Sequence, residues 1–313
     1  MNRGQLIARR LAQMVPVLVG VTLVAFALLQ LIPGDPAVSI LGIHATEESV
    51  AALRHQLGLD QPLWRQYLGY LHDVVTLNLG TSIKFKTSVE SLLADRLPVS
   101  LWLALYAAVL TALIALPLGI LSAIWKDSVF DQLVRVLMMV TMVIPAFWLG
   151  ILLLLVFSVR LGLFPVSGAG EGPVDTLHHL FLPALTIATG IAPVIVRALR
   201  ASMLEAMGSD YVRTARAKGL GDRGVVTGHV LRNALIAPLT LFGLSVGYLM
   251  GGTVIVENVF GLPGAGKLLI DSIGARDYPV VQSTTLVFAA LVILVNLATD
   301  LVYTFLDPRV SLG

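Results

Sequence analysis

The chain has 313 residues, 57% of them hydrophobic and 13% charged, with a mean hydropathy of +0.87 and a formal net charge of +2. Soluble domains carry about 25% charged residues, so this composition excludes an ordinary water-soluble globule, and the balanced charge gives no electrostatic footing for nucleic acid. The absence of cysteine excludes disulfides, thiol catalysis and Cys-ligated metals. The solvent that suits such a chain is lipid.

A bilayer-spanning helix needs about 20 apolar residues. Six charge-free runs approach or meet that length: Leu11–Pro33, Leu97–Trp125, Val136–Val159, Leu180–Val196, Asn233–Val256 and Tyr278–Thr299. They predict an all-α integral membrane protein with a single domain over 1–313. The expected six transmembrane helices lie near 11–33, 97–125, 136–159, 180–196, 233–256 and 278–303. Arg3, Arg9 and Arg10 before the first run imitate a signal peptide, but the run is too long and ends in LIPGDP without a small-x-small site. An uncleaved first span is expected.

The loops fix the expected orientation. With the N-terminus inside, the segments 1–10, 126–135, 197–232 and the tail hold 13 Lys and Arg, against 3 in the short opposite loops 160–179 and 257–278. Both termini are therefore expected on the cytoplasmic side of the membrane. Residues 34–96 form an outer insertion. There, Thr46 is placed to cap a helix at Glu47, Gly58 to end it and Pro62 to start another, on which Trp64, Tyr67, Leu68 and Leu71 make an apolar stripe. The insertion reads as a small lid or as a docking surface for an extracytoplasmic partner.

Between the third and fourth spans, His178 and His179 make no ligand-spaced cluster, and no catalytic metal is expected. Arg135, Arg160 and Arg197 flank spans and are placed to snorkel to an interface. Glu257 and Asn258 end the fifth span near the outer face; they are candidates to line an outer gate or contact a docked partner, and equally to anchor the turn. Gly247 and Gly251 make a G-x-x-x-G step on the same span. Asn296 and Asp300 lie one turn apart on the sixth.

The stretch GLPGAGKL (261–268) fits most of the phosphate-loop pattern G-x-x-x-x-G-K-[ST]. Leu268 stands where a hydroxyl should reach magnesium, and an apolar helix rather than a strand precedes it. A tight turn is expected, with no nucleotide site and no cofactor on this chain.

The most basic stretch is the cytoplasmic loop 197–232. It contains a short predicted helix, Tyr211–Lys218, started by Ser209 or Asp210 and ended by Gly219. Asp210 and Lys218 sit at the ends whose helix-dipole charge suits them. The middle, Thr214-Ala215-Arg216-Ala217, is small apart from Arg216 and so suited to seat in another protein's groove, with the flanking arginines placed to pair with acidic groups.

Here the chain resembles a known family. YVRTARAKGL…HVLRNAL is similar to the cytoplasmic EAA coupling loop of ABC importer permeases. Aligned on Gly219, the E-A-A positions fall on Arg213, Thr214 and Ala215, and the later hydrophobic-x-Leu-Pro positions on His229, Leu231 and Arg232. The glycine, the third-position alanine and the leucine match; the Glu, first Ala, Ile and Pro do not. LIPGDPA (31–37), VENVFGLPGAGKLL (256–269) and DLVYTFLDPRV (300–310) extend the resemblance to the dipeptide/oligopeptide-type permeases.

That resemblance implies a type I ABC importer permease fold with a cytoplasmic coupling helix. It implies a transport subunit rather than an enzyme, forming half of a pathway for di- or oligopeptides. Expected partners are a second, related permease subunit, two cytoplasmic ATPases that carry ATP and Mg, and an extracytoplasmic substrate-binding protein. The expected ATPase-coupling interface is Asp210, Tyr211, Arg213, Thr214, Ala215, Arg216, Ala217, Lys218 and Gly219. Same-family alternatives carry nickel, glutathione or another small solute. An ion-coupled secondary transporter would need charges within several spans and internal repeats. An intramembrane enzyme would need a facing pair of catalytic groups; Asp300 stands alone.

Overall fold

The computed structural model describes residues 15–27, 35–42, 45–56 and 58–306. Calls on Arg3, Arg9, Arg10, most of LIPGDPA and the last residues of the tail lie outside them. The described residues are helical, with one isolated antiparallel bridge, Thr81 to Ser88. The chain divides into two compact units: residues 1–99 with 263–293, and residues 100–262 with 294–313.

In the first unit, α1 (Val15–Ala27) is apolar. Helix α2 (Pro36–Leu41) starts where Asp35 Oδ1 accepts from Ala37 N at 2.9 Å, and Asp35 Oδ2 pairs with Arg54 Nη2 at 2.5 Å. Helix α3 (Glu47–Gln56) opens on a reciprocal cap: Ser49 N donates to Thr46 Oγ1 and Thr46 N to Ser49 Oγ. Gly58, at φ +65°, follows its end. Pro62 then precedes α4 (Leu63–Val75).

The apolar stripe of α4 splits. The Tyr67 hydroxyl lies 3.0 Å from Thr22 Oγ1 and donates to Val19 O, while Phe26 meets Tyr67 edge-on and stacks with Tyr70. Trp64 and Leu68 stay exposed. Burial, with a smaller contribution from Tyr67, pushes the Tyr70 phenol up to about 12 from its ordinary 10.

Helix α5 (Val89–Ile124) is 36 residues long and α14 (Tyr278–Leu306) 29; between them in sequence lies α13 (Ala265–Ala275). Val89, Leu92 and Leu93 of α5, Leu268 of α13 and Val280 of α14 share one apolar core. Beside it the 79–89 loop is clasped to the α13–α14 turn. The fully buried Asp277 carboxylate accepts from Ser82 Oγ (2.5 Å), Ile83 N (3.1 Å) and Lys84 N (3.0 Å).

In the second unit, the span expected over 136–159 is not one straight helix. Helix α6 (Val129–Val143) and α7 (Ala146–Leu153, continuing as a π-helical turn through Arg160) are bent by 106°. The cause is local. Pro145 has no N–H to continue α6, and it drives the preceding Ile144 into extended backbone, ψ 124°.

Helix α8 (Pro173–Met207) runs 35 residues, well beyond the apolar run 180–196, and carries Pro183 and Pro193 inside it. It is the central element of this unit, packing against α6, α7 and α12 (Ile236–Val259). Helices α5 and α8 approach closely: a Cβ built on Gly119 would lie 2.9 Å from Leu199. After α8 come α9 (Asp210–Ala217), α10 (Asp222–Val225), a π-helical turn and α11 (Leu231–Ala234).

By length and composition, α5, α8 and Tyr278–Thr299 of α14 are fit to cross a membrane. The pair α6–α7 and the pair from α10 into α12, bent by 47°, add two if each is one span. Over its described residues α1 is shorter than a crossing helix, so the expected count of six is not reached on these residues alone.

Candidate functional site

Helix α9 is built almost where the sequence places it, one residue earlier at each end. Ser209 occupies the N-cap, but its hydroxyl donates back to Ala206 O of α8 at 2.5 Å instead of capping. Asp210 supplies the favourable negative charge in the first turn. The other end closes as a Schellman motif: Gly219 sits at φ +84° and Leu220 N donates to Ala215 O at 3.3 Å.

The two faces of α9 differ sharply. Val212 and Ala215, three apart, are buried in a core with Ala123 of α5, Leu199 and Met203 of α8, Val225, Val230 and Ala234. Tyr211, Arg213, Thr214, Arg216, Ala217, Lys218 and Gly219 are exposed. Arg213 Nη1 lies 3.6 Å from Asp210, and Arg216 Nε lies 3.2 Å from Asp222 Oδ1. Exposed pairs of this kind contribute roughly 0–1 kcal/mol, so they orient the arginines without neutralising the face. The result is a short helix rooted by two apolar side chains and presenting a polar, mainly cationic surface.

Directly beside this root lies a cluster that sequence reasoning missed. Asp131 of α6 is fully buried, and Arg200 of α8 grips it with a two-point fork: Nε to Oδ1 at 2.7 Å and Nη2 to Oδ2 at 2.6 Å. Ser122 Oγ of α5 donates to Oδ1, Asp127 N donates to Oδ2 at 3.1 Å, and Arg135 Nε stands 3.6 Å from Oδ2. Ser128-x-x-Asp131 spells a helix cap, and Asp131 N does donate to Ser128 Oγ. The local pattern therefore conceals the distant partner.

The other candidates are placed as follows. Glu257 is fully buried and its neighbour Asn258 is exposed, so the two do not share a surface. GLPGAGKL runs from the end of α12 through a turn into α13; Lys267 Nζ pairs with Asp271 one turn on, at 3.0 Å, and Leu268 is buried. The loop thus connects two helices, without the strand that a phosphate loop requires. Arg197 is exposed and Arg135 half-exposed. Among the described residues no group of three His, Asp or Glu is placed to hold a metal.

The family model described as "Binding-protein-dependent transport system inner membrane component" matches residues 115–312, and that of the corresponding N-terminal component matches residues 4–104. The chain belongs to this family.

Among curated relatives of this permease, the di/tripeptide transport system permease protein DppB of Pseudomonas aeruginosa is 42% identical, with 97% of this chain and 98% of that protein covered. A putative peptide transport system permease of Brucella suis is 41% identical, and the glutathione transport system permease GsiC of Salmonella typhimurium 40%, both with the same coverage. Among solved structures, the inward-facing MetNI methionine ABC transporter superposes with a TM-score of 0.57 at 19% identity, covering 70% of this chain and 97% of that one. An amino acid ABC transporter crystallised with histidines gives 0.52 at 16%, covering 71% and 95%. These likenesses give the fold, that of a type I ABC importer permease. The protein is thus the membrane permease subunit of a binding-protein-dependent ABC importer, an integral membrane transport component rather than an enzyme, and its class works with ATPase and substrate-binding partners.

Proposed function

We propose that this permease forms half of a pathway for short peptides, paired with a second, related permease chain, and that α9 is the element through which an ATPase subunit drives it. The observation that carries the coupling role is the two-sidedness of α9: Val212 and Ala215 root it in the second unit, while Tyr211, Arg213, Thr214 and Arg216 face outward. Such a helix exposes the short side chains Thr214 and Ala217 among the cations Arg213, Arg216 and Lys218, the shape and charge for an acid-lined groove. ATP and Mg belong to that partner. Both termini and α9 then lie in the cytoplasm, a placement that the distribution of Lys and Arg supports.

The substrate class rests on the relatives. Two are named for peptides and one for glutathione, which is itself a tripeptide, so a short peptide backbone is the chemistry they share. Nickel and other small solutes remain same-family alternatives.

The test of the coupling role is co-purification with the ATPases, followed by Arg216→Glu and Gly219→Trp. Both variants insert into the membrane, and both lose ATPase binding or transport-coupled hydrolysis. Normal coupling in both would remove α9 from this role. The substrate assignment is tested by identifying the ligand carried by the cognate binding protein: a short peptide supports it, a metal complex overturns it.

A further inference from the structure

The geometry points to Asp131 and Arg200 as positioning residues that lock α5, α6 and α8 into one body, so that movement of α9 reaches the spans undiminished. The inference rests on the reading of α9 as the ATPase dock.

Three helices meet at the single Asp131 carboxylate: α6 contributes it, α8 grips it through Arg200, and α5 donates to it through Ser122. The residues next in sequence to these donors form the seat of α9. Leu199 precedes Arg200 and Ala123 follows Ser122, and both belong to the core that buries Val212 and Ala215. The carboxylate is fully buried and the arginine side chain is 19% exposed.

The chemistry suits a lock. A guanidinium–carboxylate fork fixes orientation as well as distance. A buried ion pair is poor at adding stability compared with apolar packing of the same volume, and its best-attested use is to specify one arrangement. The Leu199 side chain packs directly on the Gly119 backbone of α5, where an added methyl group would lie 2.9 Å from its Cδ2. Without the fork, α9 still has its apolar root, but α6 is held to α8 by apolar contacts that slide. A push on α9 would then be absorbed between helices.

The test uses the complete complex in proteoliposomes, with solute uptake and ATP hydrolysis measured on the same preparation. Asp131→Asn keeps the shape and removes the charge. Uptake is expected to fall about tenfold while hydrolysis stays within about twofold, with the ATPases still bound. Arg200→Lys replaces the fork by a point charge and gives the same split at smaller amplitude; it carries the test if Asp131→Asn does not assemble. A parallel fall of uptake and hydrolysis in Arg200→Lys overturns the inference, as does an unchanged ratio in either assembled variant. Arg216→Glu separates the two readings. If it releases the ATPases while Asp131→Asn couples normally, only the lock is wrong. If it retains ATPases and coupling, the dock assignment is wrong.

Discussion

Two buried aspartates organise this permease, and they are satisfied in different ways. Asp131 is answered by a cation, Arg200, with a hydroxyl and one backbone N–H in support. Asp277 is answered by two backbone N–H groups and the Ser82 hydroxyl. The first arrangement joins side chains from three helices 9 and 69 residues apart in sequence. The second joins a helix turn to a loop through the loop's own backbone. With two of its three donors on the backbone, the clasp tolerates change in the loop's side chains other than Ser82, whereas a side-chain fork depends on both named partners.

This difference sets the order of expected effects. Arg200→Ala strands a buried carboxylate and should cost about 3–5 kcal/mol, read as a large drop in the thermal midpoint or yield of the purified complex. A loss below about 1 kcal/mol would mean that water already reaches Asp131. Asp277→Ala leaves Ser82 and two N–H groups without their acceptor, at about 1–3 kcal/mol for each group left buried. The loss should be local, with faster amide exchange at Ile83 and Lys84; unchanged exchange there would show that the loop is held by other contacts. The smallest effect is at Tyr70. Its raised pKa means the folded state holds this proton between about pH 10 and 12 while an unfolded tyrosine has lost it. That contribution to stability is complete below pH 10 and declines as pH rises toward 12. Ultraviolet titration of the wild type against Tyr70→Phe should show one phenol missing from the high-pH end; no difference above pH 11 would contradict its burial.

Much of the fold was legible because local chemistry and tertiary packing agree. Thr46, Gly58 and Pro62 mark their helix ends, and Ser209 and Gly219 bracket α9 to within one residue. At Pro145 hydropathy reads straight through the break because the sequence stays apolar on both sides of it; the proline marks a place where a span can kink, and the backbone shows that here the kink reaches 106°. Helix α8 outruns its apolar core for the converse reason: the polar flanks 173–179 and 197–207 continue the helix without continuing the hydrophobicity. On α4, spacing gave the stripe but not its division between Tyr67, turned to α1, and the exposed Trp64 and Leu68. The α9 helix was readable because its start and stop signals are contiguous, but Ala215, expected on its docking face, is turned into the core with Val212. The Asp131 cluster was not readable, because Ser128 offers a sufficient local explanation and Arg200 lies 69 residues away.

The central claim, that the exposed face of α9 receives the ATPase, is open to one direct measurement. The chain has no cysteine, so Thr214→Cys, on that face, gives this chain a single thiol. In inside-out vesicles holding the assembled importer, a short bifunctional cross-linker should join this thiol to an ATPase subunit, and a membrane-impermeant maleimide should block it. Labelling of the introduced thiol only from the opposite side of the membrane, or an assembled complex in which it is freely labelled and never cross-linked, would contradict the account.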